Sequence, residues 1–67
     1  MPINLHHLRL FHAVAQHGSV SRGAAAVRVS QPAVSREVRE LERALGVPLL
    51  EPAGRGVRLT AAGRLLD

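Results

Sequence analysis

The stretch that decides the fold is Val29-Ser30-Gln31-Pro32-Ala33-Val34-Ser35-Arg36. Ser30 has a short oxygen-bearing side chain that can accept a free first-turn N–H, so it reads as an N-cap. Pro32 falls in that first turn, where its missing N–H costs nothing and its fixed φ suits the helix. From there Val34, Val38, Leu41 and Leu45 recur at i, i+4, i+7 and i+11, one apolar stripe. Gly46 ends the helix and Pro48 prevents its resumption. The opposite face starts polar, with Ser30, Gln31, Ser35, Arg36 and Arg39.

Upstream, Ser19 or Ser21 caps a shorter helix that runs to about Arg28. Its centre, Gly23-Ala24-Ala25-Ala26, has very small side chains, which let another helix approach closely. Gly23 costs about 1 kcal/mol of helix propensity relative to Ala, which suggests a steric reason for it. Val27 and Val29 face inward at the turn that follows. Before this lies a first helix, about Leu5 to His17, with Asn4 as its cap and Gly18 as its left-handed stop. Leu5, Leu8, Leu10, Phe11, Val14 and Ala15 make its apolar arc, with Arg9, Ala13 and Gln16 opposite. Leu10 and Val14, at the edge of that arc, are free to meet a second partner.

Downstream, Leu49-Leu50-Glu51 and Gly56-Val57-Arg58-Leu59 read as two short strands joined by a Pro52-Ala53-Gly54-Arg55 turn. Thr60 caps a last helix that reaches Asp67 about two turns in and looks cut off. The expected class is mostly α with a small β-hairpin, a winged helix-turn-helix. The helix-turn-helix spans about 20–39 and the wing about 49–59. Residues 1–60 form the domain, and 61–67 begin a truncated linker helix.

Composition narrows the function. The chain has 67 residues, and a domain of that size buries only roughly 60% of its unfolded surface. That leaves little room for a deep substrate cavity. Phe11 is the only aromatic residue, so the core is aliphatic. No cysteine is present, which excludes disulfides and thiolate metal sites. No apolar run approaches ~18 residues, and Met1-Pro2-Ile3-Asn4 lacks the basic-then-apolar pattern of a signal peptide. The expected location is therefore cytoplasmic, associated with the nucleoid. Net charge is +4, and all nine basic residues are arginine. A basic small domain points first to nucleic acid.

Two helices joined by a tight turn, the second polar at its N-terminal face, make a helix-turn-helix. Such a helix must fit the major groove and offer donors and acceptors from its first turns. Gln31 offers an amide pair to adenine, and Ser35 donates or accepts at several base edges. Arg39 and Arg43 form a like-charge i, i+4 pair that mildly opposes the helix, partly compensated by Glu40 and Glu42. That pairing makes sense if Arg39 turns toward phosphate. Arg43, Glu37, Glu40 and Glu42 otherwise read as a solvated face. Arg55, between Gly54 and Gly56, is presented to a narrow minor groove or a phosphate.

Other classes find less support. His6, His7, His12 and His17 offer no i, i+4 pair for a metal, so neither metal nor cofactor is expected. No spacing suggests a nucleophile with its base, and no Gly-rich phosphate loop is present, so the protein is not read as an enzyme. A single-strand or RNA binder would stack bases on aromatics, and Phe11 falls on the apolar face. A pure protein-interaction module would not need Gln31, Ser35, Arg36 and Arg55 in these places. A membrane-surface helix would need a continuous basic face beside bulky apolar residues.

The assembled residues resemble the N-terminal DNA-binding domain of LysR-type transcriptional regulators, over about Ile3 to Leu66. The resemblance rests on Leu8-Arg9-x-Phe11, Gly18-Ser19-Val20-Ser21-Arg22-Gly23-Ala24 and Val29 to Arg36. It continues through Leu41-Glu42-x-x-Leu45-Gly46-Val47-x-Leu49-Leu50-Glu51 and Gly54-Arg55-Gly56-Val57-x-Leu59-Thr60-x-Ala62-Gly63. It implies base-edge contacts from Gln31, Pro32 and Ser35, and phosphate contacts from Arg22, Ser30 and Arg36. It also implies minor-groove approach by Arg55, and Ala33, Arg39 and Arg58 complete the expected DNA-facing set. The implied partner is double-stranded DNA carrying an imperfect inverted repeat. The whole protein is expected as a homodimer or tetramer, through the linker helix and an effector-binding domain this chain lacks. Departures are Val20 for Phe or Leu, Gly23 for Ala, Leu50 for Phe, and Pro52-Ala53 for a frequent Arg and a polar residue.

Overall fold

A computed structural model describes residues 3–67; Met1 and Pro2, part of the stretch tested for a signal peptide, lie outside the described residues. Three helices come first: α1 (Leu5–His17), α2 (Val20–Val27) and α3 (Gln31–Leu45). A two-stranded antiparallel hairpin follows, β1 (Leu50–Ala53) and β2 (Gly56–Leu59), and then α4 (Ala61–Leu66). This is the expected winged helix-turn-helix.

Local chemistry sets the helix ends. Asn4 accepts from the His6 amide at 2.8 Å, and Ser30 from the Ala33 amide at 3.4 Å. Of the two candidate caps of α2, Ser19 takes the role, accepting from the Arg22 amide at 3.2 Å. Gly18 and Gly46 close α1 and α3 at φ 65° and 74°. α2 stops one residue sooner than its sequence suggests. Arg28 is its C-cap, left-handed at φ 58°, with its amide turned back to the Ala24 and Ala25 carbonyls.

The core joins Leu10, Phe11 and Val14 of α1 to Ala24 of α2, to Val34, Val38 and Leu41 of α3, and to Leu49. Phe11 and Val14 are fully buried. Two assignments on α1 change. Leu5, placed in the apolar arc, is 72% exposed, whereas Ala13, placed opposite, is buried. The buried arc centres on Val14, against which α2 packs closely, while Ala13 and His17 line a groove with Ala26 and Val27 of α2 and with Leu66 and Asp67. Gly23 explains that closeness: a Cβ there would stand 2.8 Å from the Val14 Cα and N. The steric reason expected from the sequence is thus a direct helix-on-helix contact.

The hairpin differs from its sequence reading. Leu49 precedes the first strand, while Pro52 and Ala53 belong to it, leaving Gly54-Arg55 as a two-residue turn. Gly54 has φ 59° and Arg55 does not have positive φ, the pattern of a II′ turn. Pro52 pairs with Val57, whose amide points out of the ladder and donates to the Gly18 carbonyl at 3.0 Å. No donor is therefore needed at position 52, and proline is tolerated. The strand starts late because the Leu49 amide donates to Glu42 Oε2 at 2.7 Å, with Leu50 adding a 3.3 Å bond to the same oxygen. Glu42 is thus no solvated acid: it fastens the hairpin to α3. Gly56 seats the other side, because a Cβ there would collide with the Gly18 carbonyl oxygen.

Candidate nucleic-acid interface

α3 carries the first half of the site. At about 100° per residue, Gln31, Ser35, Arg39, Pro32 and Arg36 fall within an arc of roughly 140°. The buried Val34, Val38 and Leu41 fill an adjoining arc of roughly 60°, directly beside Gln31 and Ser35 and opposite Pro32 and Arg36. Gln31, Pro32, Arg36 and Arg39 are exposed, while Ala33 and Ser35 are half-buried. The core stripe thus aims the polar face outward, and the Ser30 cap fixes where that face begins.

The hairpin supplies the second half. Gln31 and Arg55 line one cleft together with Ser19, Val20 and Ser21, at the meeting of α2, α3 and the hairpin turn. Ser35 and Arg39 line a second groove, walled by Val20 and by Leu50, Pro52 and Val57 of the hairpin. The expected readers on one edge of α3 therefore face the wing. Pro32 and Arg36 line neither cleft. Arg22 is exposed in the first turn of α2, beside Ser19 and Ser21.

Charge is distributed unevenly over this surface. Among the described residues, Arg22, Arg36, Arg39 and Arg55 have no carboxylate within ion-pair distance. Arg58 differs: its Nε stands 2.7 Å from Glu51 Oε2, its cross-strand partner. That pair sits on the hairpin face opposite the core-facing Val57 and Leu59. Arg43 is held by Glu40 at 3.2 Å, so Glu40 offsets the like-charge pair on α3 while Glu42 serves the hairpin.

Sequence reasoning missed two side chains near the site. Ser21 Oγ donates to Gln31 Oε1 at 2.8 Å, across ten residues. Glu37, read as solvated, is half-buried, with His6 and His7 ring nitrogens at 3.5 and 3.9 Å. Neither contact has a local sequence signal, because each joins two elements. Among the described residues no three His, Cys, Asp or Glu side chains gather to hold a metal ion. No helix among them is long and apolar enough to cross a membrane.

Known proteins share this arrangement. The model of the family described as bacterial regulatory helix-turn-helix protein, lysR family, matches residues 5–64. The RuBisCO operon transcriptional regulator of Allochromatium vinosum is 50% identical over 64 residues, 96% of this chain and 21% of that protein. The HTH-type transcriptional regulator PcaQ of Agrobacterium fabrum is 49% identical over 63 residues, 94% of this chain and 20% of that protein. The solved CbnR DNA-binding domain in complex with DNA has a TM-score of 0.89 at 43% identity, covering 94% of this chain and 72% of that one. The BenM DNA-binding domain in complex with catB site 1 DNA gives 0.90 at 38% identity, covering 96% and 71%. The chain spans about a fifth of the length of the curated relatives it matches.

Proposed function

The chain belongs to the lysR family of bacterial regulatory helix-turn-helix proteins, and from that premise we propose that it reads double-stranded DNA sequence-specifically for a transcription regulator. The observation that carries the proposal is the joint placement of Gln31 and Arg55. A groove-reading helix start and a wing tip line one cleft, and Arg55 there, like Arg22, Arg36 and Arg39, has no acidic partner among the described residues. The family is one of transcription regulators, not of enzymes.

Gln31, Pro32 and Ser35, with Ala33 beside them, meet base edges in the major groove, because the first turns of α3 carry a mixed donor-acceptor face beside the wing. Ser30, Arg22, Arg36 and Arg39 anchor to phosphate, which fixes register without reading sequence. Arg55 enters the minor groove, and Arg58 reaches phosphate once it leaves Glu51. Residues 1–60 act as the reading domain, and 61–67 begin a dimerising linker helix. Two such domains in a homodimer, or four in a tetramer, match an imperfect inverted repeat, and pairing raises affinity through effective concentration. A chromosomal partner implies a cytoplasmic, nucleoid-associated protein.

Two substitutions test this division. Gln31→Ala relaxes base preference at one position, at a cost of roughly 1–3 kcal/mol in discrimination. Arg36→Ala weakens binding to every duplex alike. Both are read by titrating selected and scrambled duplexes, and equal losses from both variants on both duplexes refute the assignment.

A further inference from the structure

We propose that Ser21 is a positioning residue for base recognition: its hydroxyl fixes the Gln31 carboxamide in the orientation that meets a base edge. The inference rests on the reading of Gln31 as a groove reader. It extends that reading to a residue outside the expected DNA-facing set.

Ser21 is the second residue of α2 and Gln31 the first of α3, so their contact crosses the turn between the two helices. Ser21 Oγ donates to Gln31 Oε1 at 2.8 Å. The hydroxyl is not needed for capping, since Ser19 caps α2. Both residues line the cleft shared with Arg55, so the contact lies beside the wing.

A glutamine side chain turns about three bonds, and rotation of its end by 180° exchanges donor and acceptor. An unheld glutamine therefore presents a mixture of patterns and must be ordered when DNA binds. The Ser21 bond takes one lone pair of Oε1. It leaves the second lone pair and both Nε2 hydrogens for the groove. That remainder matches adenine, whose major-groove edge offers the N7 acceptor and the N6 donor. Ser21 thus orders the reader before the base arrives.

The test measures binding of the protein to a duplex panel varied one base pair at a time. It uses the wild type, Gln31→Ala, Ser21→Ala, Ser21→Thr and the double alanine variant. Ser21→Ala should lower discrimination by about three- to tenfold at the base pair that Gln31→Ala affects. Its affinity for an unrelated duplex and its melting temperature should be unchanged. Ser21→Thr, which keeps the hydroxyl, should retain discrimination, and Ser21→Ala should add nothing once Gln31 is alanine. Equal loss of affinity on every duplex would make Ser21 a phosphate contact and overturn the proposal. Unchanged discrimination in Ser21→Ala, with a clear loss in Gln31→Ala, overturns it while leaving Gln31 as a reader. Unchanged discrimination in Gln31→Ala overturns both.

Discussion

The polar face of α3 and the hairpin each bring two arginines to the proposed DNA surface, but they hold them differently. Arg36 and Arg39 stand on an exposed helix face with no acidic partner among the described residues. On the hairpin Arg55 is equally free, whereas Arg58 is paired with Glu51. The seats differ too. α3 is held by its buried stripe of Val34, Val38 and Leu41. The hairpin is held by packing of Leu49, Leu50, Val57 and Leu59 on the core and by bonds at its base, from the Leu49 and Leu50 amides to Glu42 and from the Val57 amide to the Gly18 carbonyl. The helix face thus offers both its arginine charges, and the wing, fastened at its base, has half its charge engaged.

The largest effect to exploit is ionic. With four to six phosphates neutralised, log K against log salt should slope at about −4 to −5, a loss of roughly 250- to 1,000-fold between 50 and 200 mM. Arg36→Ala and Arg39→Ala should each flatten that slope by about 1, and Arg58→Ala by clearly less. Equal flattening by all three, measured by fluorescence anisotropy, would break the comparison. Next in size is the fastening. Glu42→Ala removes a carboxylate that accepts two backbone bonds and should cost about 2 kcal/mol in urea denaturation. Arg39→Ala, on an exposed face, should stay within about 0.5 kcal/mol. A smaller change comes from Glu51→Gln. It frees Arg58 from a surface pair worth about 0.2–1 kcal/mol, so affinity for any duplex should rise a few-fold at low salt. No rise would mean that Arg58 faces away from DNA. Smallest is Arg28→Gly, which relieves a left-handed φ and should stabilise the fold by up to about 1 kcal/mol. Calorimetry reads that gain, and a simultaneous fall in DNA affinity would show that the Arg28 charge contributes to binding.

What the sequence disclosed follows from range. Asn4, Ser30, Pro32, Gly18 and Gly46 mark helix ends through bonds within a turn, so the three main helices were legible almost to the residue. The exposed face of α3 was legible because a stripe at i, i+4 and i+7 has only one opposite side. The misreadings need distant partners. Ala13 is buried in a groove that it shares with Ala26 and Val27 of α2 and Leu66 of α4, elements distant in sequence. The first strand starts at Leu50 because the Leu49 amide is taken by Glu42, seven residues upstream on another element. Pro52 looked like a turn residue because nothing nearby reveals that Val57 sends its amide to Gly18. Ser21 looked like a rival cap, when its hydroxyl goes instead to Gln31.

The base of the hairpin has a mechanical meaning. Val57 is tied to the carbonyl that ends α1, and Gly56 rests against the same group with no side chain between them. On the other strand, Glu42 ties the first residues of the hairpin to α3. A load applied at the Arg55 tip, as when a bent duplex pushes on it, acts on a short lever clamped on both sides. The bending moment passes into α1 and α3 together, so the wing and the reading helix deflect as one piece.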